Sequence, residues 1–272
     1  ISHIEILGSR QNILKAKLEI LDGLSPEGVV ILNGDDELLS GLKGLLRFKT
    51  LLYGIDENLD IWAYDLSSRG EEGVSFQVRT EKSDMELFIP APGIHNVHNA
   101  LAGIAVAECL NMSEKEIREG ILRFTGEEMR MNITEKDGIK IINDTYNAAP
   151  SSVRAAIDVL CEISANRRRW VILGDMLELG DWAEEAHKKI GKLVSRLGIE
   201  YMVGIGSLAK WYIEGANEEP SGRTVTKWFS TAAEAKPYIK ALVQKGDVLL
   251  IKGSRMIKLD VLAKELLTEG LN

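Results

Sequence analysis

From Ile139 onward the chain alternates strand and helix patterns with almost no interruption, and this limits the possible folds more than any other feature. Apolar runs at 139–143, 170–173, 201–205, 224–229 and 248–252 read as strands, and amphipathic segments at 151–163, 182–197, 231–244 and 257–267 read as the helices between them. Short apolar strands separated by helices make an α/β domain with a mostly parallel sheet. Ligands in such sheets bind at the carboxyl ends of the strands, so the loops after those runs are the places to look for chemistry.

The first half has a different rhythm. Ser9 is placed to cap a helix that ends near Gly23. A strand at 29–32 runs into Asn33-Gly34-Asp35-Asp36, and extended runs at 47–52, 61–66, 74–79 and 85–89 are spaced as β-hairpins. Pro90-Ala91-Pro92-Gly93 precedes two helices, at 95–110 and 113–124. The change of pattern at Thr125-Gly126 divides the 272 residues into 1–126 and 127–272, in keeping with roughly 100–200 residues per domain.

Bulk chemistry excludes several classes. A formal net charge of −8 gives no overall basic footprint for nucleic acid, although local anion sites at helix N-termini stay open. No run reaches the roughly 18 apolar residues of a membrane helix, and no signal segment is evident. Cys109 and Cys161 fall in helical patterns, with no Cys/His zinc spacing. A reduced, cytoplasmic compartment is expected.

Several constellations carry candidate chemistry. Asn96 and Asn99 stand three apart at a helix start, where backbone N–H groups lack helical partners. Their amides offer donor and acceptor for a purine edge, or simply a helix cap. Asn143-Asp144-Thr145-Tyr146-Asn147-Ala148-Ala149-Pro150 leads from a strand end into a helix with Pro at its first position. Asp144 is placed to accept from ribose hydroxyls, and an Asx-turn with an N-cap is the plainer reading. Leu173-Gly174-Asp175-Met176-Leu177-Glu178-Leu179-Gly180 is a second strand-end loop, with two carboxylates. Lys252-Gly253-Ser254-Arg255 is a third, suited to a carboxylate or phosphate.

Other features have plainer readings. Gly204-x-Gly206-x-x-Ala209 is a degenerate dinucleotide fingerprint and reads first as a tight βα turn. His187 reads as a satisfied boundary histidine, and Arg167-Arg168-Arg169 as a solvated loop. Lys17 falls within an apolar stripe of Ile13, Leu14, Ile20, Leu21 and Leu24. Such a lysine either snorkels to water or, with its ammonium disfavoured by burial, reacts with carbon dioxide to a carbamate.

In their order along the chain these loops resemble the Mur ligases, ATP-dependent amide-bond-forming enzymes of peptidoglycan precursor synthesis. Asp144-Thr145-Tyr146-Asn147-Ala148-x-Pro150, Leu173-Gly174-Asp175-Met176-x-Glu178-Leu179-Gly180 and Lys252-Gly253-Ser254-Arg255 are similar to the branch that adds D-alanyl-D-alanine to UDP-N-acetylmuramoyl-tripeptide. The resemblance implies a partial central ATPase-type α/β domain followed by a Rossmann-like C-terminal domain. It implies ATP and Mg²⁺, with His3 and a carbamylated Lys17 at the metal. Asn96 and Asn99 would meet adenine. Arg130 and Asp144 would meet the phosphate and ribose side, with Tyr146 and Asn147 lining the same cleft. Asp175, Glu178, Lys252 and Arg255 would face the dipeptide or the peptide substrate.

Two departures qualify this. Position 149 is Ala where the branch usually has Asn. No Gly-x-x-x-x-Gly-Lys-Ser/Thr phosphate cradle occurs in the sequence. With the opening Ile1-Ser2-His3, this leads to the expectation of the last part of the central domain plus the C-terminal domain, inactive in ligation without an N-terminal part. The rival expectations are a related ligase with another amino substrate and a non-catalytic adenine-nucleotide-binding module.

Overall fold

Alternate residues of the runs at 170–173, 201–205 and 248–252 point to opposite sides, and both sides are apolar, so the sheet must be covered twice. The computed structural model describes residues 4–220 and 222–268. They form two compact units, Leu7–Thr125 and the residues from Gly126 onward, with residues 4–6 grouped with the second. A short helix α1, Ile4–Leu7, opens the described chain.

In the first unit α2 (Arg10–Leu18) begins at Ser9, whose hydroxyl accepts the Asn12 N–H. It is followed by β1 (Val29–Asn33), α3 (Glu37–Ser40), β2 (Lys49–Gly54), β3 (Ile61–Ser68), β4 (Val74–Arg79), β5 (Asp84–Ile89), α4 (Ile94–Cys109) and α5 (Glu114–Leu122). The five strands lie in sequence order in one sheet. β1–β2 and β2–β3 are parallel, and β3–β4 and β4–β5 antiparallel. The hairpin expectation therefore holds only for the last three strands. The α3 crossover lets β2 run parallel to β1, and β3 meets β2 only through Tyr53 and Gly54. Val74, Phe76, Val78, Met85, Leu87 and Ile89 pack under Val97, Leu101 and Ile104 of α4, which fixes the start of that helix against the sheet.

The second unit contains β6 (Asn132–Lys136), β7 (Ile139–Asp144), α6 (Pro150–Ser164), β8 (Arg169–Gly174), α7 (Ala183–Arg196), β9 (Tyr201–Ile205), α8 (Lys210–Asn217), β10 (Val225–Phe229), α9 (Ala232–Leu242), β11 (Val248–Lys252) and α10 (Leu259–Thr268). Strand order is β10-β9-β8-β11-β7-β6. All neighbours are parallel except the edge pair β6–β7. One face buries Ile142, Val171, Leu173 and Leu250 against α6, α7 and α8. The other buries Ile141, Trp170, Ile172 and Leu249 against α9 and α10. Helices α7 and α8 approach closely because a Cβ on Gly191 or Gly215 would collide with the backbone of the other helix.

The last strand in sequence, β11, is inserted between β7 and β8. The direction of winding changes there, so the carboxyl ends of β7, β8 and β11 open a crevice. The amino edge is sealed by the arginine run, which is a clamp rather than a solvated loop. Arg167 donates to the Gly246 and Gly138 carbonyls (2.7 and 3.0 Å), and Arg168 makes two 2.8 Å bonds to Asp247. Arg169 pairs with Glu200 at 3.2 Å. The exposed carbonyls and the buried Asp247 at this edge supply the acceptors that an apolar flank would lack.

Candidate active site

Three loops meet at the crevice. Residues 146–149 follow β7, residues 177–179 follow β8 and residues 254–256 follow β11, and together they line a cleft of about 350 Å³. Each loop was singled out in the sequence for its own residues, and the strand order brings them together. Tyr146, Asn147, Glu178 and Arg255 all line this cleft. Backbone strain gathers beside it, because Glu178 adopts a φ of +64°, a left-handed conformation uncommon for a side-chain-bearing residue.

Lys252 and Asp144 are not among the residues that line this cleft. Lys252 is 3% exposed. Its ammonium lies 2.6 Å from Asp144 Oδ2 and donates to the Asn147 carbonyl at 2.8 Å. Asp144 Oδ1 accepts the Met131 N–H at 3.2 Å. Burial pulls the Lys252 ammonium below the usual lysine range while Asp144 acts against that fall. The pair occupies one register of the β11–β7 ladder, so both groups are used to join two strand ends.

Arg130 comes to the same edge from the loop before β6. Its guanidinium lies 4.0 Å from the Tyr146 ring centroid, a cation–π distance, and 3.3 Å from Glu127. The Tyr146 N–H donates to the Met129 carbonyl at 3.1 Å. Arg130, Asp144 and Tyr146 thus form one cluster.

Asp175 lies away from the cleft lining, beneath the turn after β9. It is buried, and Oδ1 accepts the N–H groups of Leu208 and Ala209 at 3.0 and 2.7 Å. Ser207 Oγ donates to Oδ2 at 3.4 Å. Those donors belong to the glycine-containing turn after β9, and a Cβ on Gly206, whose φ is +115°, would meet the same carboxylate. The degenerate fingerprint is a tight turn whose N–H groups are consumed by Asp175.

In the first unit, Asn96 is buried at the start of α4 and donates to the Pro92 carbonyl at 2.8 Å. Asn99, which is exposed, donates to Asn96 Oδ1 at 3.2 Å. The two amides are oriented by each other, and neither is an N-cap, since Gly93 holds that position. His98, between the two asparagines in sequence, meets Asp35 at 2.9 Å.

Lys17 is exposed, as is Ile20 at 79%, so the described residues of this chain do not enclose the lysine. The helical period fails after nine residues, where α2 gives way to a 3₁₀ turn at Glu19–Gly23, and the stripe loses its register. His3 lies outside the described residues. Among the described residues no group of three or more His, Cys, Asp and Glu side chains is gathered as for a metal, and no helix is long and apolar enough to cross a membrane.

Sequence reasoning passed over His187 and Ser254 as site residues. Both hold the backbone of the Asp175–Gly180 loop: the Met176 N–H donates to His187 Nε2 and the Leu177 N–H to Ser254 Oγ, each at 3.0 Å. Ser254 had a signal, since it sits in the quoted Lys-Gly-Ser-Arg. A lone histidine on a helix had none.

Comparison with known proteins fits this geometry. Residues 1–107 match the Mur ligase middle domain and residues 129–255 match the Mur ligase glutamate ligase domain. The chain belongs to the Mur ligase family. It is 35% identical over 274 residues to the UDP-N-acetylmuramoyl-tripeptide--D-alanyl-D-alanine ligase of Bacillus subtilis (strain 168), covering 100% of this chain and 58% of that relative. Among solved structures, MurF from Acinetobacter baumannii superposes with a TM-score of 0.87 at 30% identity, covering 97% of this chain and 57% of the other. A MurF ligase from Thermotoga maritima in complex with ADP shares the fold, with a TM-score of 0.80 at 22% identity, 98% of this chain and 60% of the other. The chain therefore spans somewhat over half the length of these Mur ligase relatives.

Proposed function

We propose that this chain supplies the adenine-side helix start and the amine-side cleft of an ATP-dependent ligase that adds D-alanyl-D-alanine to UDP-N-acetylmuramoyl-tripeptide in peptidoglycan precursor synthesis. The observation that carries this reading is the convergence of the loops at 146–149, 177–179 and 254–256 on one cleft of about 350 Å³. That volume suits a small ligand with a few convergent polar groups. Arg255 is the cation for the dipeptide carboxylate, and Glu178 is the acceptor for its amino group. Tyr146 and Asn147 flank them, and Arg130 on the Tyr146 ring serves the phosphate side. The Asn96–Asn99 amide pair is the recognition element for adenine.

The tripeptide carboxylate oxygen attacks the γ-phosphorus of ATP, giving an acyl phosphate and ADP. The dipeptide nitrogen then attacks the acyl carbon, the C–O bond to phosphate breaks, and the amine gives up a proton. The protein's work in such transfers is positioning and charge neutralisation. Lys252, Asp144 and Asp175 contribute by shaping the edge from which the other side chains reach out. Mg²⁺ would be held by His3, which lies outside the described residues, and by a carbamylated Lys17, which is exposed in this chain. No step is derived through it.

The test is phosphate release by the full-length gene product with ATP, the tripeptide precursor and D-alanyl-D-alanine, each omitted in turn. Release that needs all three, and that is abolished when single amino acids replace the dipeptide, supports the reading. Efficient use of a single amino acid would instead assign a different amino substrate. Nucleotide binding without ligation would assign a binding module. A calorimetric titration of the 272-residue chain with ADP, beside Asn99→Ala, tests the adenine contact separately.

A further inference from the structure

The cleft wall at 177–179 is held from behind. It leaves β8 through Asp175 and Met176, and two backbone N–H groups at its root go to side chains of other elements. Leu177 donates to Ser254 Oγ and Met176 donates to His187 Nε2, both at 3.0 Å. His187 stands on α7, outside the cleft lining, and is 0% exposed. Its Nδ1 lies 2.5 Å from the Ala183 carbonyl one turn earlier. A carbonyl only accepts, so Nδ1 carries the hydrogen and Nε2 is left as the acceptor. The ring is neutral and confined to one tautomer.

We propose that His187 is a positioning residue, which fixes the wall at 177–179 by accepting the Met176 N–H and so sets the affinity of the cleft for its amine substrate without touching it. This rests on the reading of the cleft as the amine-substrate site. Protonation of Nε2 would place a donor against a donor and release the wall. The groups facing the ring are the Asp175 carboxylate, from the loop after β8, and Tyr212 on α8, whose ring centroid lies 4.5 Å away. Burial outweighs the pull of Asp175 and holds the imidazole below its ordinary value, so the acceptor state prevails at neutral pH.

The experiment compares His187→Leu, which removes the acceptor, with His187→Gln, which returns an acceptor oxygen near Nε2. In the full-length gene product His187→Leu is expected to raise the KM for D-alanyl-D-alanine about tenfold. The KM for ATP should stay within about twofold of the parent, and His187→Gln should recover most of the loss. The parent's dipeptide KM should also climb at acid pH, along a limb that His187→Gln lacks. In the 272-residue chain, amide hydrogen exchange at residues 176–179 should quicken in His187→Leu and not in His187→Gln. Parallel loss of every kinetic parameter in both variants, or an unmoved dipeptide KM, overturns the proposal. Should His187→Leu fail to fold, the acid limb of the parent against His187→Gln decides. Should the parent accept no D-alanyl-D-alanine, the ligase reading fails by itself, and unchanged exchange at 176–179 in His187→Leu would overturn the positioning role.

Discussion

Lys252 Nζ lies 2.6 Å from Asp144 Oδ2, and the two residues are register partners at the ends of adjacent parallel strands. The bond joins the loop after β11 to the loop after β7, and a second bond from the same ammonium to the Asn147 carbonyl tightens the joint. Removing one partner of a buried pair leaves the other charge uncompensated. Lys252→Met should therefore lower unfolding stability by about 3–5 kcal/mol, read as a fall in the urea midpoint. Asp144→Asn keeps an acceptor and should cost less. Equal stability of Lys252→Met and the parent would remove the joint from the account of the site.

Arg255 presents the opposite case. Its side chain is 55% exposed and lies 3.6 Å from Asp260, an exposed pair worth little to the fold. Arg255→Ala should leave stability within about 0.5 kcal/mol. In ligation by the full-length gene product it should raise the dipeptide KM by about tenfold or more, since a charge-assisted bond to a carboxylate is lost. A thermal melt beside steady-state kinetics checks both halves.

Much of this was legible in the residues. Tyr201–Ile205 and Val248–Lys252 are strands with the bounds their apolar runs gave, because strands buried on both faces leave an uninterrupted apolar signature. The three cleft loops could be located for the same reason. Which of their side chains reach the cleft was not legible. Asp175 and Glu178 look alike in one loop, yet one is buried beneath the turn after β9 and the other lines the cleft. That difference depends on which strand lies beside β8, a long-range fact that no local pattern carries. The parallel pairing of β1 with β2 and the exposure of Lys17 escaped for the same reason. Both depend on what packs alongside, not on spacing along the chain.

The buried imidazole has a consequence for stability as well. His187 in the native state stays neutral to lower pH than an unfolded histidine, because burial disfavours its charged form. The unfolded chain therefore takes up the proton first. Stability from this group is fully present above about pH 6.5 and falls as pH drops from there toward the lower native value. Urea denaturation at neutral and at mildly acidic pH should show the fall in the parent and a smaller one in His187→Gln. A parent midpoint that rises on acidification through this window would contradict the neutral, single-tautomer ring.

Gly191 and Gly215 allow α7 and α8 to touch backbone to backbone. Alanine is the better helix former, so a gain would follow if propensity decided. Here the added methyl of Gly191→Ala meets the Tyr212 carbonyl, and overpacking of this kind costs about 1–3 kcal/mol. A lower melting temperature for Gly191→Ala, beside little change for Gly103→Ala on the open side of α4, would establish which effect wins.

The carboxylate of Asp175 fills the nest that a glycine-containing turn offers to an anion. The second unit thus carries a counter-ion of its own on the β9 side of β8, and a phosphate arriving there would find its place taken. The cleft lies on the other side of β8, toward β11 and β7. Of the two glycine-containing strand-end loops that the sequence offers to an anion, the one after β9 is filled by the chain's own carboxylate.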